Sequence, residues 1–127
     1  MRKSDHFAFR VSDMDRSIAF YSQSLGLKLL FRERDEKHGE EYAFLELAGG
    51  NLELIETMAE EPYELPEIRH PYCPHLALHT ESMDETLKTL GEKQIPIVKG
   101  PLQIDGKVRW VYTHDPDNNI IEFVEWL

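Results

Sequence analysis

Cysteine is nearly absent. Cys73 is the single one in 127 residues, so no disulfide can form within the chain. Basic residues are scarce as well, 14 Lys and Arg against 24 Asp and Glu, for a formal net charge of −10. Nucleic acid and anionic membrane surfaces both need clustered Lys and Arg, so this balance excludes them as partners. It does not exclude a small anionic substrate, which one well-placed Arg can hold. No apolar stretch approaches the roughly 20 residues that a membrane helix requires. Met1-Arg2-Lys3-Ser4-Asp5 runs straight into a strand pattern without an apolar signal region. A cytoplasmic location is the expectation.

What is present fits a soluble globular protein. Hydrophobic residues make up 41% and charged residues 30%, which argues against disorder. The acids are mostly dispersed, in runs no longer than a pair such as Glu60-Glu61, and read as a solvated surface. At this length the chain forms one domain, or two small halves sharing one core. A half of about 60 residues would bury too little surface to stand alone. Each half is therefore expected to depend on the other or on a second chain.

The apolar run from His6 to Val11 predicts a strand. Ser12-Asp13 supplies an N-cap, and Met14, Ile18, Tyr21 and Leu25 form one buried stripe of a helix closed by Gly26. Strands follow over 27–34, 41–47 and 51–57, with Gly49-Gly50 turning the chain into the last. Residues 58–71, with Pro62, Pro66 and Pro71, read as a linker. The order then recurs: a strand over 73–80, a helix capped by Ser82 with Met83, Leu87 and Leu90 on one face and Gly91 at its end, and strands over 95–99, 108–113 and 120–126. Asp115-Pro116-Asp117-Asn118 is the last turn.

The repeat is also numerical. His6 and His75 open matching strands 69 residues apart, Glu53 and Glu122 sit in matching strands at the same separation, and Met14-Asp15 recurs as Met83-Asp84. Side chains alternate along a strand, so His6, Ala8 and Arg10 share one face, as do His75, Ala77 and His79. A small residue beside each His leaves room for a ligand. Glu53 lies among Leu52, Leu54 and Ile55, and Glu122 among Ile121, Phe123 and Val124. A carboxylate there is costly unless paired or coordinated.

A single strand histidine is more often a hydrogen-bonded structural residue, and a single strand glutamate more often points to solvent, as Glu56 and Glu125 are expected to do. Two of each at one spacing favour a metal site. Imidazole and carboxylate together suit zinc, nickel, cobalt, manganese or iron. His38, His70 and His114 are expected at exposed turns or strand ends. Cys73 reads as a small buried thiol, Trp110 and Trp126 as core or interface aromatics, and Tyr63 and Leu65 as minor candidates for a pocket wall. Arg10 is either a salt-bridge partner or an anchor for a substrate carboxylate.

The run from His6 through Arg10-Val11-Ser12-Asp13-Met14-Asp15-Arg16-Ser17-Ile18-Ala19-Phe20-Tyr21 to Leu25-Gly26 resembles the opening of the vicinal oxygen chelate superfamily, and within it glyoxalase I. The ending Asp115-Pro116-Asp117-Asn118-Asn119-Ile120-Ile121-Glu122 does so too. The resemblance covers essentially the whole chain. It implies an α+β fold in one domain, 1–127, made of two βαβββ modules with curled mixed sheets: module one about 1–57, linker about 58–71, module two about 72–127. It implies a divalent metal, nickel, cobalt or zinc ahead of manganese or iron, held by His6, Glu53, His75 and Glu122, in many members across a homodimer.

Arg10 matches the position that binds the glutathione carboxylate. Four residues past Glu53 the glutathione enzyme often carries Asn, where this chain has Thr57. The implied activity is that of a lactoylglutathione lyase, a carbon–sulfur lyase of methylglyoxal detoxification. It converts the hemithioacetal of a 2-oxoaldehyde and a thiol into a 2-hydroxyacyl thioester through a metal-bound enediolate, with Glu122 as base and Glu53 as its counterpart. The alternatives are an epimerase or dioxygenase of the same superfamily, or a metal-free small-molecule binding or resistance protein.

Overall fold

A computed structural model describes residues 1–59 and 62–127, in two compact units, Met1–Leu65 and Pro66–Leu127. Glu60 and Glu61 of the expected linker lie outside the described residues. Unit 1 runs β1 (His6–Arg10), α1 (Met14–Ala19), β2 (Leu29–Asp35), β3 (Glu40–Leu45) and β4 (Asn51–Thr57). Unit 2 runs β5 (His75–His79), α2 (Met83–Glu92), β6 (Ile97–Ile104), β7 (Val108–His114) and β8 (Ile120–Trp126). Each unit is a βαβββ module with a four-stranded mixed sheet, ordered β1-β4-β3-β2 in one and β5-β8-β7-β6 in the other. The first and last strands of each module pair in parallel, the others antiparallel.

The helices begin where the capping residues say. Asp13 accepts the Arg16 amide at 3.1 Å, and Ser82 accepts the Glu85 amide at 3.1 Å, each satisfying one orphan donor of a first turn. Both units bury their helix stripes against the apolar face of the sheet. Met14, Ser17 and Tyr21 are buried with Leu45, Leu52 and Leu54 in unit 1, and Met83 and Leu90 with Val111 and Ile121 in unit 2. Ile18 and Leu25 of the expected stripe are half-buried.

Three local expectations change. The first helix passes at Phe20–Ser24 into a π-helical turn. The Ser22 hydroxyl donates to the Ile18 carbonyl at 2.6 Å, and the Leu25 amide reaches back five residues to Phe20. Gly26 still follows with φ +75°. The second helix runs through Gly91 to Glu92, and it is Gln94 that takes the left-handed conformation, φ 57°.

Strand β6 extends to Ile104, beyond the expected end at Lys99. Its register with β7 shifts between Lys99 and Leu102, where Pro101 has no amide to donate. There Gly100 passes so close to β7 that an added Cβ would stand 3.0 Å from the Trp110 carbonyl oxygen. In that way the sheet absorbs the irregularity and keeps its later pairs, Leu102 with Trp110 and Ile104 with Val108.

Candidate metal and substrate site

In the parallel pair β1–β4 the register sets Ala8 opposite Glu53, and in β5–β8 it sets Ala77 opposite Glu122. The histidine two residues before each alanine lies on the same face as the glutamate. In unit 1, Nε2 of His6 is 3.4 Å from Oε1 of Glu53; in unit 2, Nε2 of His75 is 2.8 Å from Oε1 of Glu122. Both glutamate side chains are 14% exposed, against 40% for His6 and 21% for His75.

The other ring nitrogen is tied down in both units. Nδ1 of His75 donates to the Tyr72 carbonyl at 2.9 Å, a group that can only accept, so this nitrogen carries the proton. Nδ1 of His6 stands 2.6 Å from the Asp5 carboxylate. A histidine whose Nδ1 is engaged in this way presents Nε2 as the ligating atom, with its ring orientation fixed.

The electrostatics differ from group to group. The hydrogen bond to Asp5 is the main cause that raises the His6 pKa; burial opposes it and the Glu53 charge adds to it. Burial is the main cause that raises Glu53, with His6 pulling the other way and Glu40 adding to the rise. The two shifts thus have different origins, since Asp5 and not Glu53 is the principal partner of the His6 proton.

A third member of each constellation escapes the 69-residue spacing. Phe44 of β3 pairs with Glu53 and packs edge-on against His6 at 5.4 Å between ring centroids. Tyr112 of β7 pairs with Glu122 and packs edge-on against His75 at 5.6 Å. From Phe44 to Glu53 the chain takes 9 residues and from Tyr112 to Glu122 it takes 10, so a fixed offset misses the match. Asp5 and the Tyr72 carbonyl were missed too, because both lie outside the strands that carried the pattern.

Among the described residues, no group of three or more His, Cys, Asp and Glu is gathered for a metal; the donors come as one His–Glu pair per unit. An imidazole nitrogen beside a carboxylate, as each unit presents, is nonetheless a pair of donors that suits a borderline divalent cation. Arg10 lies on the His6 face of β1. Its guanidinium donates to the Thr57 hydroxyl at 3.5 Å and sits 5.3 Å above the Tyr63 ring centre. Leu65 is exposed.

Unit 2 holds a cavity of about 540 Å³ beside Glu122, and Trp110 and Trp126 line it. Both were expected in the core or at an interface; they lie outside the core because their strand positions share the face of Tyr112 and Glu122. Cys73 is exposed, not buried, because it sits in the turn before β5, where its sulfur is 3.8 Å from Nδ1 of His75. His38 is exposed and held by Asp35 at 2.8 Å, His70 is exposed against Tyr72, and His114 is half-buried, with Nδ1 donating to the Asp115 carbonyl at 2.8 Å.

The sequence family described as Glyoxalase/Bleomycin resistance protein/Dioxygenase superfamily matches residues 3–123. The chain is 28% identical over 126 residues to the lactoylglutathione lyase of Salmonella typhimurium, covering 94% of this chain and 90% of that one. It is also 28% identical over 121 residues to the metallothiol transferase FosB of Lysinibacillus sphaericus, covering 94% and 79%. Among solved structures, the trypanothione-dependent glyoxalase I of Leishmania major superposes with a TM-score of 0.76 at 26% identity, over 98% of this chain and 87% of that one.

Proposed function

The chain belongs to the Glyoxalase/Bleomycin resistance protein/Dioxygenase superfamily, and from that premise we propose that it is a metal-dependent lyase acting on the hemithioacetal of a 2-oxoaldehyde and a thiol. The product is a 2-hydroxyacyl thioester. The observation that carries the reading is the repeated pair, His6 with Glu53 and His75 with Glu122, each His aimed by an acceptor at its Nδ1. Similarity to a lactoylglutathione lyase supports the reaction class.

His6, Glu53, His75 and Glu122 together would hold a divalent ion, nickel, cobalt or zinc ahead of manganese or iron, in a centre that needs both modules, whether from one chain or from two chains of a homodimer. When bound, the ion supplies Lewis acidity toward two adjacent substrate oxygens. Glu122 takes the proton from the substrate carbon and returns it to the neighbouring carbon; the cavity beside it supports this assignment over Glu53. Glu53 is its counterpart across the substrate. Arg10 binds the anionic end of the thiol portion, and Thr57 and Tyr63 position its guanidinium.

Thioester formation from methylglyoxal and glutathione, or another low-molecular-weight thiol, tests the reading. Turnover should need metal and should drop about 10²–10⁴-fold in Glu122→Gln, the scale of general acid–base catalysis. Robust turnover by that variant would overturn the role of Glu122.

A second reading has its own observation. The cavity in unit 2 would suit an apolar small molecule bound without chemistry. Metal-independent binding that survives His6→Ala would favour it.

A further inference from the structure

We propose that the cavity beside Glu122 receives an aryl-sized apolar substituent on the substrate's keto carbon, which makes this chain selective for aromatic 2-oxoaldehydes over the methyl one. The inference rests on the metal-lyase reading above and names the substrate class of that same site.

Three features of unit 2 carry it. The first is size. A volume of about 540 Å³ falls within the range of small-molecule sites. A group the size of a water molecule takes up only about 30 Å³, so a methyl would leave the cavity nearly empty and forfeit most dispersion contacts.

The second is the surface it presents. Trp110 and Tyr112 of β7 stand on the same face as Glu122, Val124 and Trp126 of β8. Beside these rings the wall is aliphatic, formed by Leu78, Ile104, Val108 and Val124. Flat apolar ring faces are left for a guest, and aromatic pairs gain beyond their buried area.

The third is reach. Glu122 and Val124 are two positions apart on one strand face, about 7 Å at strand spacing. A substituent on the carbon to which Glu122 returns the proton, the neighbour of the one it deprotonates, therefore extends toward Val124 and the two indoles, while Ala77, opposite Glu122, keeps the approach open.

Benzohydroxamate and acetohydroxamate test this, since both present two adjacent oxygens and differ as phenyl and methyl. The only two tryptophans of the chain line the cavity, so quenching of intrinsic fluorescence reports occupancy without turnover. On metal-loaded protein, benzohydroxamate should bind at least about tenfold tighter than acetohydroxamate, as burial of the additional apolar surface requires.

Val124→Phe, which fills the cavity from β8, should abolish the preference, with circular dichroism to verify folding. Ile104→Phe, at an exposed position of the edge strand β6, repeats the test if that variant does not fold. Equal affinities, with binding still dependent on metal, would overturn the aryl site and leave the metal reading standing. An aryl preference that persists undiminished after the metal is stripped would uphold the cavity's selectivity and sink the metal reading instead.

Discussion

Nε2 of His75 faces Oε1 of Glu122 at 2.8 Å, with the ring held from behind by the Tyr72 carbonyl. The matching pair in unit 1 is looser, 3.4 Å from His6 to Glu53, and its rear anchor is the carboxylate of Asp5, 90% exposed, in place of a backbone carbonyl. The two half-sites share a register and differ in how firmly the imidazole is aimed.

That difference makes Asp5 the adjustable part. Asp5→Asn removes the charge that orients His6 and should weaken divalent metal binding about tenfold, the lower end of the effect of such supporting partners. Titration calorimetry of the metal-stripped protein measures it directly. An unchanged affinity would mean that Asp5 does not orient the ligand.

The pH dependence follows from the same groups. Glu53 holds its proton above the ordinary value of 4.5, mainly through burial, and His6 above 6.5, mainly through Asp5. In both cases the folded state binds the proton more tightly. Each contribution to stability is therefore full below the ordinary value and lost as pH rises through the raised one. Metal-free protein should lose stability as pH climbs from 4.5 upward through the Glu53 range and again from 6.5 upward through the His6 range. Metal affinity should move the opposite way, since both ligands must shed protons to coordinate. Urea unfolding across a pH series, with and without metal, reads both slopes.

Arg10→Ala should raise KM for an anionic thiol adduct about 10–100-fold and leave kcat nearly unchanged, as loss of one charged hydrogen bond in uniform binding predicts. A matching fall in kcat with KM constant would instead place Arg10 in the transition state.

Asp115 is a stability test independent of any ligand. It is 1% exposed, and its side chain accepts from the Asp117 amide, the Asn119 amide and the Asn119 side chain at 2.8, 2.9 and 2.9 Å. Asp115→Ala leaves those donors unsatisfied in the turn that sets the β7–β8 register, and should cost about 2–3 kcal/mol in chemical denaturation.

Element order, both N-caps and the strands that carry His6, Glu53, His75 and Glu122 were legible because each rests on local periodicity or capping chemistry. What eluded the sequence depends on geometry between elements. The Phe44 and Tyr112 match is hidden because β7 runs one residue further past Tyr112 than β3 does past Phe44. The length of β6 was obscured by Gly100-Pro101, which reads as a strand end yet is absorbed by a register shift. Cys73 was read as buried because a strand was extended back over it, whereas the chain enters β5 only at His75. The aromatic cavity needed the faces of four strands to be assembled before Trp110 and Trp126 could be seen together.

The central claim is that two His–Glu pairs, one per module, make one metal centre. Elemental analysis of the purified protein tests it most directly, because either assembly, within a chain or across a dimer, requires about one divalent ion per chain. The account predicts that stoichiometry for the wild type and its loss in the double variant His6→Ala, His75→Ala. A wild type that takes up no divalent ion, or a double variant that keeps full occupancy, would contradict it.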